Sequence, residues 1–276
     1  MKLGVRAHDF GKMVPSELAK TLKGAGFEAA QLALTKAIDG IDSFDDITPE
    51  VLDDVLRFFE ESNVEISVLG CYVEIGQPDK ELRLIEVEKF KKGLEYAKIL
   101  GVNFVGTETT SFSPDMEYMR ESAFRGLKDS VLRMAEKAEQ LGVSIAIEPV
   151  AEHILDSAIL TRRLLDEVGS ERLKVIFDPV NLILTRDDIC NQEKIYSKFF
   201  DIIGADIAAL HVKDIVLSES CEKIWRNIGQ GEIAYEMIFE RLRKYKKDIP
   251  ILREEAKTDS YKTDIEEMRR LIKGVV

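Results

Sequence analysis

Eight short apolar, largely β-branched runs recur along the chain, each followed by a longer charged and amphipathic stretch. The runs are Lys2–Arg6, Ala29–Leu34, Glu65–Gly70, Asn103–Gly106, Ser144–Glu148, Lys174–Phe177, Ile207–His211 and Pro250–Glu254. Helix-like segments between and after them include Pro15–Gly24, Pro49–Ser62, Lys80–Leu100, Tyr118–Leu141, Ser157–Val168, Glu193–Ile203, Tyr235–Lys246 and Thr263–Ile272. VSIAIE, KVIFD and IAALHV are almost wholly apolar, as parallel strands covered on both faces must be. Such alternation predicts a closed (β/α)8 TIM barrel or an open doubly wound sheet. No glycine-rich phosphate fingerprint follows the first strand, which weighs against the open, dinucleotide-binding sheet. The 276 residues suit a barrel of about 250 residues, and no linker-like stretch divides them. The reading is a single α/β barrel domain over residues 1–276.

Local chemistry supports these boundaries. Gly26, Gly101 and Gly142 each follow an apolar helix end and precede an apolar strand start, where glycine supplies the left-handed cap. Pro15 and Pro49 suit first helical turns, with Thr48 as an N-cap. Two connections exceed simple turns, Gly70–Asp79 and Lys213–Gly231. Both follow strand C-termini, the face on which barrels assemble active sites, and both are expected to cover a substrate.

Charge and cysteine usage narrow the partners. The formal net charge of −12 repels phosphate backbones, so no nucleic-acid partner is expected. The basic run Arg241–Lys247 reads as a solvated helix face and terminus. MKLGVRAHDFG has neither the apolar core nor the cleavage site of a signal peptide, and no apolar run approaches the roughly 20 residues of a bilayer span. Cys71, Cys190 and Cys221 are widely spaced, with no C-x-x-C pair to form a thiolate metal cage. A cytoplasmic, reducing location without membrane attachment is the expectation.

Four strands end in residues suited to metal chemistry: Glu148 in AIEPV, Asp178 in IFDPVN, His211 in ALHVKD and Glu254 in ILREEA. Each follows a strongly apolar run, and a buried carboxylate or imidazole needs compensation. Singly, any of them could cap a helix, pair with a cation or, as Asp178-Pro179, start a turn. Together, on consecutive barrel strands, they converge on one mouth. Three carboxylates and one imidazole suit a single divalent ion, Mn²⁺, Mg²⁺, Co²⁺ or Zn²⁺. Its charge offsets the mutual repulsion of the carboxylates. Strand alternation sends only one of Glu254 and Glu255 into the mouth. Further candidate substrate contacts are His8, Glu108, His153, Asn181, Lys213 and Trp225.

AIEPV, FDPVNL, HVKD and ILREE, in this order and spacing, resemble the sugar phosphate isomerase/epimerase group of the xylose isomerase-like TIM-barrel superfamily. Gly229-Gln-Gly231 and VGTETT at 105–110 add to a resemblance that spans nearly the whole chain. It implies that Glu148, Asp178, His211 and Glu254 hold the metal, and it favours Glu254 over Glu255. It implies also that Glu148 and Glu254 are the acid and base on opposite faces of a ketose or related polyol. A polarised ketone acidifies its neighbouring C–H, one glutamate removes that proton, and an enediolate forms. Assembly through the outer helices into a homo-oligomer is a further implication. The chain departs from the epimerase pattern at Asn181, where those enzymes commonly carry a histidine; an amide hydrogen-bonds a hydroxyl but does not exchange protons near neutral pH.

Other functions share parts of this pattern. A dehydratase of an inosose or a dehydroshikimate-like substrate would begin with the same proton abstraction. An endonuclease IV-like enzyme needs three zinc ions and many histidines, whereas this chain has His8, His153 and His211 alone. A non-catalytic sugar-binding barrel would bind metal without turnover.

Overall fold

The computed structural model describes residues 1–245, 248–255 and 260–274. Eight parallel strands close into a barrel in the order β1-β10-β7-β6-β5-β4-β3-β2, which excludes the open sheet. They are β1 (Leu3–Arg6), β2 (Ala29–Leu32), β3 (Glu65–Gly70), β4 (Phe104–Glu108), β5 (Ser144–Glu148), β6 (Leu173–Phe177), β7 (Ile207–Val212) and β10 (Ile251–Arg253). An antiparallel hairpin, β8 (Asp214–Leu217) and β9 (Lys223–Arg226), stands apart after β7. The surrounding helices are α1 (Pro15–Ala25), α2 (Leu34–Ala37), α3 (Pro49–Glu61), α4 (Lys80–Ile99) and α5 (Arg120–Leu141). They continue with α6 (Ala158–Val168), α7 (Arg186–Cys190), α8 (Gln192–Ile203), α9 (Tyr235–Lys244) and α10 (Tyr261–Lys273). No helix among the described residues is long and apolar enough to cross a membrane.

The expected caps are present. Gly26 and Gly142 close α1 and α5 in the left-handed region, Gly101 has φ +67°, and the Thr48 side chain accepts from Val51 N. Several boundaries move. β2 stops at Leu32 because the chain turns into α2, and β4 runs on to Glu108, which therefore stands on a strand. The helix expected from Tyr118 starts at Arg120, after a 3-10 turn over Pro114–Met119. The last helix begins at Tyr261, two residues early. Lys246, the expected end of α9, lies outside the described residues, as does Lys247.

Strand alternation builds two layers. Outward side chains such as Val5, Ala30, Ile145, Ile147, Val175 and Leu210 join the main core under the helices. Inward side chains form a small separate cluster of Val68, Ala146, Ile176, Ala209 and Leu252. Gly4 and Gly106 complete it, since little more fits. A Cβ on Gly106 would lie 2.9 Å from Val68 Cγ1 and 3.0 Å from Ile176 Cδ1. The residue two positions further along each of these strands points the same way and emerges at the barrel mouth.

Candidate metal centre at the barrel mouth

That two-residue step leads from Ala146 to Glu148, from Ile176 to Asp178, from Ala209 to His211 and from Leu252 to Glu254. All four mouth residues are at least 96% buried. His211 Nδ1 lies 3.2 Å from Glu148 Oε2, 3.2 Å from Glu254 Oε1 and 3.8 Å from Asp178 Oδ2. One donor atom each from Glu148, Asp178 and His211 falls within 4.8 Å of the others. Glu254 is the inward member of its pair. Glu255, at φ +55°, turns out to meet Arg6 Nη2 at 2.7 Å, with a side chain 40% exposed.

The same step brings in two residues that the sequence reading missed, Arg6 two positions after Gly4 and Gln31 two after Ala29. The Gln31 amide oxygen lies 2.7 Å from His211 Nε2, and its nitrogen donates to the Tyr72 hydroxyl at 2.7 Å. With Oε1 as acceptor, Nε2 carries a proton, so in the neutral ring the Nδ1 lone pair faces the carboxylates. Arg6 Nη1 approaches Glu254 Oε1 at 3.5 Å. A lone amide in the apolar run AAQLAL and an arginine ending LGVR were the available signals.

Lys213 lies inside the cluster, with Nζ 2.8 Å from Asp178 Oδ2 and 3.0 Å from Glu254 Oε2. It pairs with these carboxylates and not with its chain neighbour Asp214. Asp214 instead accepts from the backbone N–H groups of Ile215, Gly229, Gly231 and Ile233, which explains the G-x-G segment structurally. Asn181 Nδ2 donates to Glu148 Oε1 at 2.6 Å.

The remaining candidates lie around the rim. Burial, reinforced by the Glu254 charge, raises the Glu108 carboxyl above its ordinary value. His153 Nε2 lies 3.3 Å from Ser111 Oγ and 4.0 Å from Glu108 Oε2, and burial lowers the imidazole. His8 packs edge-on against Tyr72, and burial pushes it down to about 4. Trp225 is not brought to the cluster. It sits on β9, half-exposed, without a hydrogen bond or ring contact to the cluster among the described residues. The hairpin presents Lys223 instead, which donates to Val180 O at 3.2 Å and is held below the usual lysine range by burial and by the Lys213 charge. The segment read as a loop is thus an ordered ribbon.

The donor set fits a divalent ion. His211 Nδ1 and Asp178 Oδ2 are buried without a hydrogen-bond partner, although Lys213 pairs with the latter and Glu148 and Glu254 stand at ion-pair distance from the former. Such orphaned atoms are costly unless another group binds them. With neutral His211, one divalent ion and the Lys213 ammonium balance three carboxylates. In the metal-free protein burial opposes charge on His211, yet Glu254 and Glu148 prevail and raise it to about 9. Burial likewise opposes ionisation of Glu254, and the charges of His211, Lys213 and Arg6 outweigh it, so the carboxyl stays below its ordinary range. Burial raises Asp178, partly offset by Lys213.

No curated protein matches the chain by sequence. Solved structures match its fold over almost their entire length. A D-tagatose 3-epimerase-like protein superposes with a TM-score of 0.80 at 16% identity, over 99% of this chain and 97% of that one. The 3-keto-D-glucoside 4-epimerase from E. coli gives 0.74 at 16% identity, over 98% of both chains. A Mycobacterium smegmatis protein in complex with magnesium gives 0.74 at 12% identity, over 99% and 96%. The family model for xylose isomerase-like TIM barrels matches residues 19–272, and the chain belongs to that family.

Proposed function

We propose that the chain is a divalent-metal-dependent isomerase or epimerase of a ketose or related polyol, acting by proton transfer next to a carbonyl. One observation carries this reading: three carboxylates converge on Nδ1 of a buried histidine at the C-terminal mouth of the barrel. Two similar folds, the tagatose epimerase-like protein and the keto-glucoside epimerase, are named for sugar epimerisation, and the third holds magnesium. These names support the same class.

Glu148, Asp178, His211 and Glu254 would hold the ion, with Mn²⁺, Mg²⁺, Co²⁺ and Zn²⁺ the ions such donors accept. The ion, when bound, supplies Lewis-acid polarisation of the substrate carbonyl and its neighbouring hydroxyl. Glu254, kept ionised by its cationic neighbours, takes the proton from carbon. Glu148 stands across His211 from it and returns a proton on the other side. Asn181 fixes the orientation of Glu148 through Oε1, so the amide positions a glutamate where a proton-exchanging histidine was missing. His8, Glu108 and His153 line the rim as hydroxyl partners.

Metal content and Mn²⁺ titration of the wild type and Asp178→Ala test the site. One ion per chain, lost in the variant, is expected. Exchange of carbon-bound protons of ketoses with D₂O, followed by NMR, then tests the chemistry. Exchange with formation of an isomeric sugar identifies an isomerase or epimerase, whereas loss of water identifies a dehydratase. A protein that ignores Mn²⁺ refutes the proposal.

A further inference from the structure

A second cavity, of about 500 Å³, opens between the chain after β3, the start of α4, the chain after β4 and helix α5. None of the four mouth residues lines it. Its size falls in the range of small-molecule sites. One wall is apolar, with Phe112, Met116, Met119 and Ile154, and methionines adapt to ligands of varied shape.

The other wall holds Arg83, whose residue is 92% buried. Its Nη1 donates to the carbonyls of Gln77 at 2.8 Å and Pro78 at 3.4 Å, while Nε is buried without a partner. No carboxylate pairs with it among the described residues. A guanidinium taken out of water with part of its donor fork unused is expensive, and an anion is the group that relieves the cost. Lys80 and Arg125 line the same cavity, in a chain of net charge −12. The acid in its lining, Asp129, already faces Arg133 at 3.1 Å.

We propose that this cavity binds a small monocarboxylate with an apolar body, its carboxylate on Arg83 and its body against Phe112, Met116 and Met119. The site is separate from the barrel mouth and does not depend on the reaction proposed there. Ser111 and Ile154 of its lining flank His153, which gives the ligand a route to influence the rim.

The test is calorimetric titration of Mn²⁺-loaded protein with octanoate, and with octanol as the uncharged equivalent. Octanoate should bind once per chain, octanol at least tenfold more weakly. Arg83→Gln should weaken octanoate at least tenfold. Because Nη1 also anchors the Gln77–Pro78 loop, Met116→Glu provides an independent check: this exposed position places a carboxylate at the cavity, and octanoate should again weaken at least tenfold with the melting temperature unchanged. Glu254→Gln should leave octanoate binding intact. No heat with millimolar octanoate, equal binding of octanol, or indifference to both cavity variants would overturn the proposal. So would loss of binding in Glu254→Gln, which would put the carboxylate on the mouth ion.

Discussion

Replacing Lys213 by methionine removes the ammonium from between Asp178 and Glu254 while preserving most of the side-chain volume. At 2.8 and 3.0 Å, the two contacts correspond to roughly 6 kcal/mol of attraction each at an effective dielectric of about 20. Desolvation of the ions offsets much of this, and breaking such a buried pair from one side costs about 3–5 kcal/mol. The metal-free variant should therefore melt at least about 6 °C below wild type, taking about 2 °C per kcal/mol as the lower bound. A divalent ion puts positive charge back among the same carboxylates. Saturating Mn²⁺ should then raise the melting temperature of Lys213→Met more than that of the wild type, with tighter binding in the variant. Thermal melts in EDTA and across a Mn²⁺ series measure both effects. Equal stability in EDTA would refute the buried ion pair. An equal gain with Mn²⁺ would refute the idea that lysine and metal share carboxylates.

Three further outcomes follow from the geometry. Glu254→Gln keeps the shape but removes the proton acceptor, so proton exchange on a turned-over ketose should fall by about 10²–10⁴-fold, with weaker Mn²⁺ binding; NMR exchange rates measure it. Gly231→Ala would set a Cβ 2.0 Å from Asp214 Oδ1 and disturb the backbone cradle around that carboxylate; overpacking of this kind costs about 1–3 kcal/mol or more, read by chemical denaturation. His8 is held neutral down to about 4 in the fold, below its ordinary 6.5. The unfolded chain binds the proton first on acidification, so this contribution to stability is complete above about 6.5 and is lost as pH falls towards 4. His8→Phe should flatten that part of the stability–pH curve, as measured by denaturant midpoints between pH 4 and 7.

The barrel was legible because its strands must be apolar on both faces and its helices amphipathic, and these periods survive in any single sequence. Glu148, Asp178, His211 and Glu254 stood out as polar ends on apolar runs, and the closed order of strands brings them to one mouth. The residues alone left Glu254 and Glu255 open, because alternation gives parity but no direction; the resemblance favoured Glu254, and the fold turns that side chain inward. Arg6 and Gln31 obey the same parity and were overlooked because neither residue type is a usual metal ligand. Trp225 stood out only as the one tryptophan of a long connection. That connection holds the β8–β9 hairpin, where Lys223 donates to Val180 O and the indole is half-exposed.

The step of two residues from packed interior to open mouth also bears on how such a chain can change over generations. The layer of Gly4, Val68, Gly106, Ala146, Ile176, Ala209 and Leu252 carries the steric fit of the barrel, and the ring above carries the charge. A ring substitution that keeps side-chain volume leaves the contacts of the layer beneath in place, so its penalty is mainly electrostatic and a compensating change in a neighbouring ring member offsets it. New substrate preferences can then arise by paired exchanges around the rim, Asn181 with Glu148 or Arg6 with Glu254, while the folding problem stays solved.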